Sequence, residues 1–185
     1  MDEQHAKSAD YAFHVQFLRF DDERSHTSKA IRVVHRKTGA LVQEIAPVEG
    51  HGNRHPAQFL TLVNANADGY PDIEMFIDSG GAGPNSTSHY YLFDPRTGQF
   101  RFHQQLSELT QVTIDADGLI TWAQRASCCS YGGGTYRFIG GKLTLLTTKD
   151  ESMTADGKWM RVSVGTLRKG KMRFSSYRRR LPAED

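Results

Sequence analysis

The residues with the clearest chemistry lie in one short loop, Asn64-Ala65-Asn66-Ala67-Asp68-Gly69-Tyr70-Pro71-Asp72. Counted from Asn64, side-chain oxygens fall at positions 1, 3, 5 and 9, with a glycine at position 6. This is hard-cation chemistry, since Ca²⁺ takes about six to eight oxygens at roughly 2.3–2.6 Å. Alternation along an extended stretch points residues 64, 66 and 68 to one side, and Gly69 permits the turn that brings Asp72 back. The expected ligands are Asn64, Asn66, Asp68, Asp72 and the carbonyl oxygen of Tyr70. An Asx-rich turn with no metal is the other reading, because Asn, Asp and Gly are also frequent turn residues.

The flanks separate this loop from an EF-hand, which sits between two helices and carries a bidentate Glu at its twelfth position. Here that position is Met75, and Glu74 comes one residue early. Gln58-Phe-Leu-Thr-Leu-Val63 precedes the loop and Ile73-Glu-Met-Phe-Ile77 follows it, both short and β-rich without a helical period. The loop is therefore expected to join two strands. Two of its four side-chain donors are neutral amides, which favours modest affinity and a calcium-rich compartment.

Other reactive sets are weaker. There is no Gly-x-Ser-x-Gly elbow and no His-Glu-x-x-His, and the expectation is a protein that is not an enzyme. His51 and His55 are four apart, but Gly52 and Pro56 argue against a helix presenting both, so they read as solvated loop histidines. Asp21-Asp22-Glu23 reads as a turn rather than the carboxylate pair of a glycosidase, and Asp115-Ala-Asp117-Gly118 as a hairpin turn rather than a second calcium site. Adjacent Cys128 and Cys129 are read first as small buried apolar side chains, with a vicinal disulfide as the alternative. The basic stretch from Lys169 to Arg180 reads as a charged, solvated edge strand, not a nucleic-acid face; steering toward an acidic partner is a further option.

Nearly every element that must position these groups reads as a strand. Residues 13–20 open the series. Residues 30–36 and 41–45 flank Lys37-Thr38-Gly39, and residues 89–94 and 99–103 flank Pro95-Arg96-Thr97-Gly98. Residues 135–139 and 142–147 flank Gly140-Gly141, a strong hairpin signal. Residues 159–164 and 171–176 flank a turn ending in Gly170, and a single helical turn is expected near Leu106-Ser-Glu-Leu109. The pattern predicts an all-β fold, a β-propeller-like array of antiparallel hairpins, with a β-sandwich as the alternative.

The chain has 185 residues and a formal net charge of +2, consistent with a single core. The expected division is a polar N-terminal tether over 1–10, one β domain over 11–180 and a tail over 181–185. No apolar run is long enough for a membrane span. The polar start is read as that of a mature chain from which an export segment has been removed.

Taken in order, the Val42-Gln43-Glu44-Ile45 hairpin strand, the Asn-x-Asn-x-Asp-Gly-Tyr-x-Asp loop, Gly80-Gly81-Ala82-Gly83, Tyr90-Tyr91-Leu92-Phe93-Asp94, Thr97-Gly98-Gln99-Phe100, Ser127-Cys128-Cys129 and Gly141-Lys142-Leu143 resemble the FG-GAP-like calcium-binding β-propeller repeat. More closely, the order resembles the periplasmic immunity lipoproteins of bacterium-killing type IV secretion, which inhibit a lysozyme-like peptidoglycan hydrolase toxin. The resemblance spans about residues 30–147. It implies an incomplete β-propeller-like domain, a structural calcium ion held by Asn64, Asn66, Asp68, Tyr70 and Asp72, a periplasmic location with an N-terminal lipid, and a hydrolase as protein partner in bacterial competition. Asn replaces Asp at the first ligand position, and no lipid-bearing cysteine precedes the domain. No contact motif transfers, so the partner-facing candidates rest on loop length: residues 78–88 with Asn85, followed by His89 and Tyr90, and residues 127–134 with Tyr131. The alternative function is a calcium-dependent carbohydrate-binding or adhesion module.

Overall fold

The computed structural model describes residues 10–19, 26–45, 59–80 and 85–182. Asp21-Asp22-Glu23, His51, His55, the Gly81–Pro84 part of the glycine-rich loop and most of both terminal segments fall outside the described residues.

Strands dominate. The first sheet runs β1 (Tyr11–Arg19), β2 (His26–His35) and β3 (Leu41–Ile45). The second runs β4 (Leu60–Val63), β5 (Asp72–Asp78), β6 (Thr87–Asp94) and β7 (Gln99–Phe102). A single helical turn, α1 (Gln104–Ser107), leads to the third sheet: β8 (Thr113–Ile114), β9 (Ile120–Ser127), β10 (Ser130–Ile139), β11 (Lys142–Met153), β12 (Trp159–Arg168) and β13 (Lys171–Arg180). In each sheet the strands lie in chain order and pair antiparallel, and no sheet closes into a barrel. The fold is thus all-β and built from successive hairpins. Its third sheet, with six strands, exceeds the four of an ordinary propeller blade.

The middle sheet is covered on both faces. Ile73, Met75, Tyr91 and Phe93 pack with Ile31 and Val33 of the first sheet. Tyr90 packs the other way, with Ala65, Leu106, Ile120 and Leu143. This explains β5, where buried residues run in pairs rather than alternating, because neither side meets water.

Two side-chain amides fasten neighbouring sheets in the same manner. Gln43 donates through Nε2 to the Phe100 carbonyl at 2.8 Å, and its Oε1 accepts from the Phe100 N–H at 2.8 Å. Asn85 donates through Nδ2 to the Arg125 carbonyl at 2.8 Å, and its Oδ1 accepts from the Arg125 N–H at 2.8 Å. Each amide does what one residue of a neighbouring strand would do, so β3 joins β7 and the segment before β6 joins β9. Gln43→Ala removes both bonds at a part-buried junction and should cost about 2 kcal/mol in chemical denaturation.

The segment 127–134, expected as a loop, is mostly strand. Only Cys128 and Cys129 form its turn, and Ser127 pairs with Ser130 across it. The three glycines lie within β10 because the sheet is tight there: a Cβ at Gly134 would collide with the Thr147 carbonyl oxygen, next to a register shift at Thr135/Tyr136. Cys128 and Cys129 are joined as a vicinal disulfide. The reading as two buried apolar side chains is therefore corrected: Cys128 is exposed, as a hairpin tip must be.

Candidate functional site

The loop from Asn64 to Pro71 connects β4 to β5, and Val63 pairs with Asp72 at its base. Its hydrogen bonds are local and oxygen-based. Asn64 Oδ1 accepts from the Gly69 N–H at 3.3 Å, and Asn66 Oδ1 accepts from the Asp68 N–H at 3.2 Å. Asp68 Oδ1 accepts from the Tyr70 N–H at 2.8 Å, and its Oδ2 from the Asn66 Nδ2 at 2.8 Å. The Tyr70 ring lies 5.5 Å from that of Phe93, which pins the loop to the core. On the other side, Gly118 of the β8–β9 turn sits so close to Ala67 that a Cβ there would come within 2.7 Å of the Ala67 Cβ. That turn is closed by Asp115, whose Oδ1 accepts from the Asp117 and Leu119 N–H groups at 3.0 and 2.8 Å.

Asp72 is the centre of the arrangement. It is fully buried, the sole charged side chain in that state among the described residues. Its Oδ2 accepts from the Ala65 N–H at 2.8 Å and its Oδ1 from the Phe93 N–H at 2.9 Å. One carboxylate thus ties the loop start to β6. Burial pushes its pKa up to about 7; the Phe93 and Ala65 N–H groups oppose that rise, and the nearby Asp68 adds to it. No Lys, Arg or His among the described residues pairs with it.

This donor set fits a hard cation. It contains only oxygens, two carboxylates share it, and the buried one has no cationic partner. Each amide oxygen accepts one N–H and keeps a lone pair. Asn64, Asn66, Asp68, Asp72 and the Tyr70 carbonyl are the residues that could hold such an ion. Among the described residues, no group of three or more His, Cys, Asp or Glu converges as a metal site, in this loop or elsewhere.

The partner-facing candidates scatter. Tyr90 is a core residue, 1% exposed, with its hydroxyl donating to Glu74 Oε1 at 3.0 Å; the expectation that it faces a partner is corrected. It faces inward because the middle sheet is covered on that side. Asn85 is committed to the Arg125 backbone, so its amide is structural as well. His89 is half-buried, edge-on to Phe102 at 5.1 Å, and lines a groove of about 440 Å³ with Gln43, Tyr91 and Phe102. Tyr131 is exposed at the tip of the third sheet, its hydroxyl donating to the Cys128 carbonyl at 2.8 Å and the Arg125 guanidinium 5.8 Å from its ring. Gly132, Gly133 and Gly134 form a trough beside it, walled by Lys149 and Glu151. Sequence reasoning missed that Arg125 and this pair accompany Tyr131; cross-strand register brings them together.

No protein-family model and no curated protein matches the chain. Among solved structures, the chain is similar to one described as that of a Xanthomonas Type IV Secretion System related protein, with a TM-score of 0.64 and 18% sequence identity. The likeness covers 89% of this chain and 88% of that one, so the two share a fold along nearly their whole length.

Proposed function

We propose that this chain is a binding protein rather than an enzyme: a periplasmic immunity protein, attached through an N-terminal lipid, that blocks a lysozyme-like peptidoglycan hydrolase toxin of a type IV secretion system. The observation that carries the reading is the shared fold with a type IV secretion system related protein, taken together with the sequence order that resembles the immunity lipoproteins. The deployment of reactive groups supports it. Asp72 holds backbone, Glu74 accepts from Ser88 and Tyr90, and the two cysteines are bonded to each other.

Calcium in the Asn64–Asp72 loop would neutralise Asp68 and Asp72 and fix β4 to β5, a structural role. The inhibitory contact falls to exposed groups at the tip of the third sheet. Tyr131 supplies a ring of the kind a sugar-shaped cleft accepts, and Arg125 and Lys149 supply charge for a site lined by carboxylates. Tyr131→Ala should weaken inhibition of peptidoglycan lysis by about tenfold or more, the scale of an interface anchor, and leave the melting temperature unchanged. Unaltered inhibition by that variant would move the contact to the His89 groove. Direct binding of peptidoglycan fragments by the isolated protein, without inhibition of any lysozyme-type enzyme, would favour the carbohydrate-binding alternative.

A further inference from the structure

Residues 159–180 contain eight Lys or Arg and no Asp or Glu, in a chain whose totals are 23 basic and 21 acidic side chains. They form β12 and β13, and β13 is an outer strand of the third sheet. Every residue of β13 except Met172 is exposed. Phe174 is 67% exposed and Tyr177 53%, among the most open large side chains of the described residues.

The register sorts these groups onto two faces. Arg178 lies opposite Arg161, and Phe174 opposite Gly165, on one side; Tyr177 lies opposite Val162, and Arg173 opposite Thr166, on the other. Glu151 reaches Arg179 at 3.8 Å. Asp156, held low mainly by Thr154, also feels Arg178. Lys171, Arg173 and Arg180 make no ion pair among the described residues.

Cations on an edge strand guard against unwanted pairing, but guarding does not call for two open aromatic rings on the same strand. We propose that β13 is a docking edge for an acidic, extended segment of a partner protein, which adds to the sheet beside it. Such a strand brings alternate side chains to both faces, and both faces of β13 are cationic. A nucleic-acid duplex or an anionic membrane meets one face only. A second copy of the chain is disfavoured: centred antiparallel pairing of β13 with itself sets Lys171 against Arg180 and Arg173 against Arg178, and like charges directly opposite destabilise. The inference stands apart from the inhibitor reading, since it concerns another surface and needs no hydrolase.

The test is a fluorescence titration of the whole protein with a labelled peptide alternating Glu with Val and Thr. The controls are a peptide of equal charge interrupted by prolines, a DNA duplex, and vesicles containing phosphatidylglycerol. Saturable binding of the alternating peptide is expected. It should weaken by about tenfold or more with the prolines, or in the Arg178→Gln/Arg179→Gln/Arg180→Gln variant, and β13 amides should gain hydrogen-exchange protection. Equal binding of the proline peptide, tighter binding of duplex or vesicles, or no binding of the alternating peptide at low salt would overturn the proposal. The comparison of the two peptides uses unaltered protein, so it decides even if the triple variant folds poorly.

Discussion

Asp72→Ala is expected to lower the melting temperature by about 10 °C. The carboxylate is fully buried and accepts from the N–H groups of Ala65 and Phe93. Its removal strands both donors at about 1–3 kcal/mol each, and about 1 kcal/mol moves a chain of this size by roughly 2–4 °C. The loss should depend on pH in a definite direction. In cation-free buffer the folded state holds the Asp72 proton to about pH 7, against an ordinary aspartate value of 3.8. The folded state then binds more protons than the unfolded one between these values, so this group's contribution is fully present below the lower and fades as pH rises through the higher. Wild-type protein in chelator should therefore lose stability from pH 4 to 7, by at most roughly 4 kcal/mol from this group. Asp72→Ala should flatten that dependence and show a larger deficit at pH 5 than at pH 8. Thermal melts across the range check both statements; a parallel pH profile in the variant would remove Asp72 as the cause.

Calcium should reverse the penalty of ionising Asp72. A bound divalent cation favours the charged form, so the melting temperature at pH 8 should rise in millimolar Ca²⁺ and fall on chelation. At about a hundredfold excess over Kd the gain is about 2.7 kcal/mol, or several degrees. Asp68→Ala removes one of the two loop carboxylates and should abolish this calcium-dependent rise. In the absence of calcium its cost should be small, since Asp68 is exposed and its bonds stay within the loop. A melting curve indifferent to calcium and chelator would leave the loop as an Asx-rich turn secured by Asp72 alone.

Much of the architecture could be read from local signals. The Lys37-Thr38-Gly39, Asp94–Gly98 and Gly140-Gly141 turns each carry a glycine at positive φ, so the flanking alternation was enough to place the hairpins. What escaped was strand content without an apolar signal. The β9 segment Thr121-Trp-Ala-Gln-Arg-Ala-Ser127 and the end of β11, Lys149-Asp-Glu-Ser-Met153, are largely exposed, so no inward alternation marks them. The glycines of β10 look like a loop in isolation, and only the close approach of β11 explains them. The Asn64–Asp72 loop was legible as a connection between two strands because its spacing is a local property. Asp72's second task, holding Phe93, was not, because Phe93 lies twenty-one residues away. For the same reason Tyr90 and Asn85 were misread. Their partners, Glu74 and Arg125, are distant in sequence, and a polar tip gives no hint of whether it meets water or protein.

The central claim is best tested by titrating this protein into a lysozyme-type peptidoglycan hydrolase, above all one encoded beside it, while following lysis of peptidoglycan. The account predicts a linear fall of lytic activity to zero at molar equivalence, with calcium present. Undiminished lysis at large excess, by the neighbouring enzyme and by every other hydrolase tried, would contradict it.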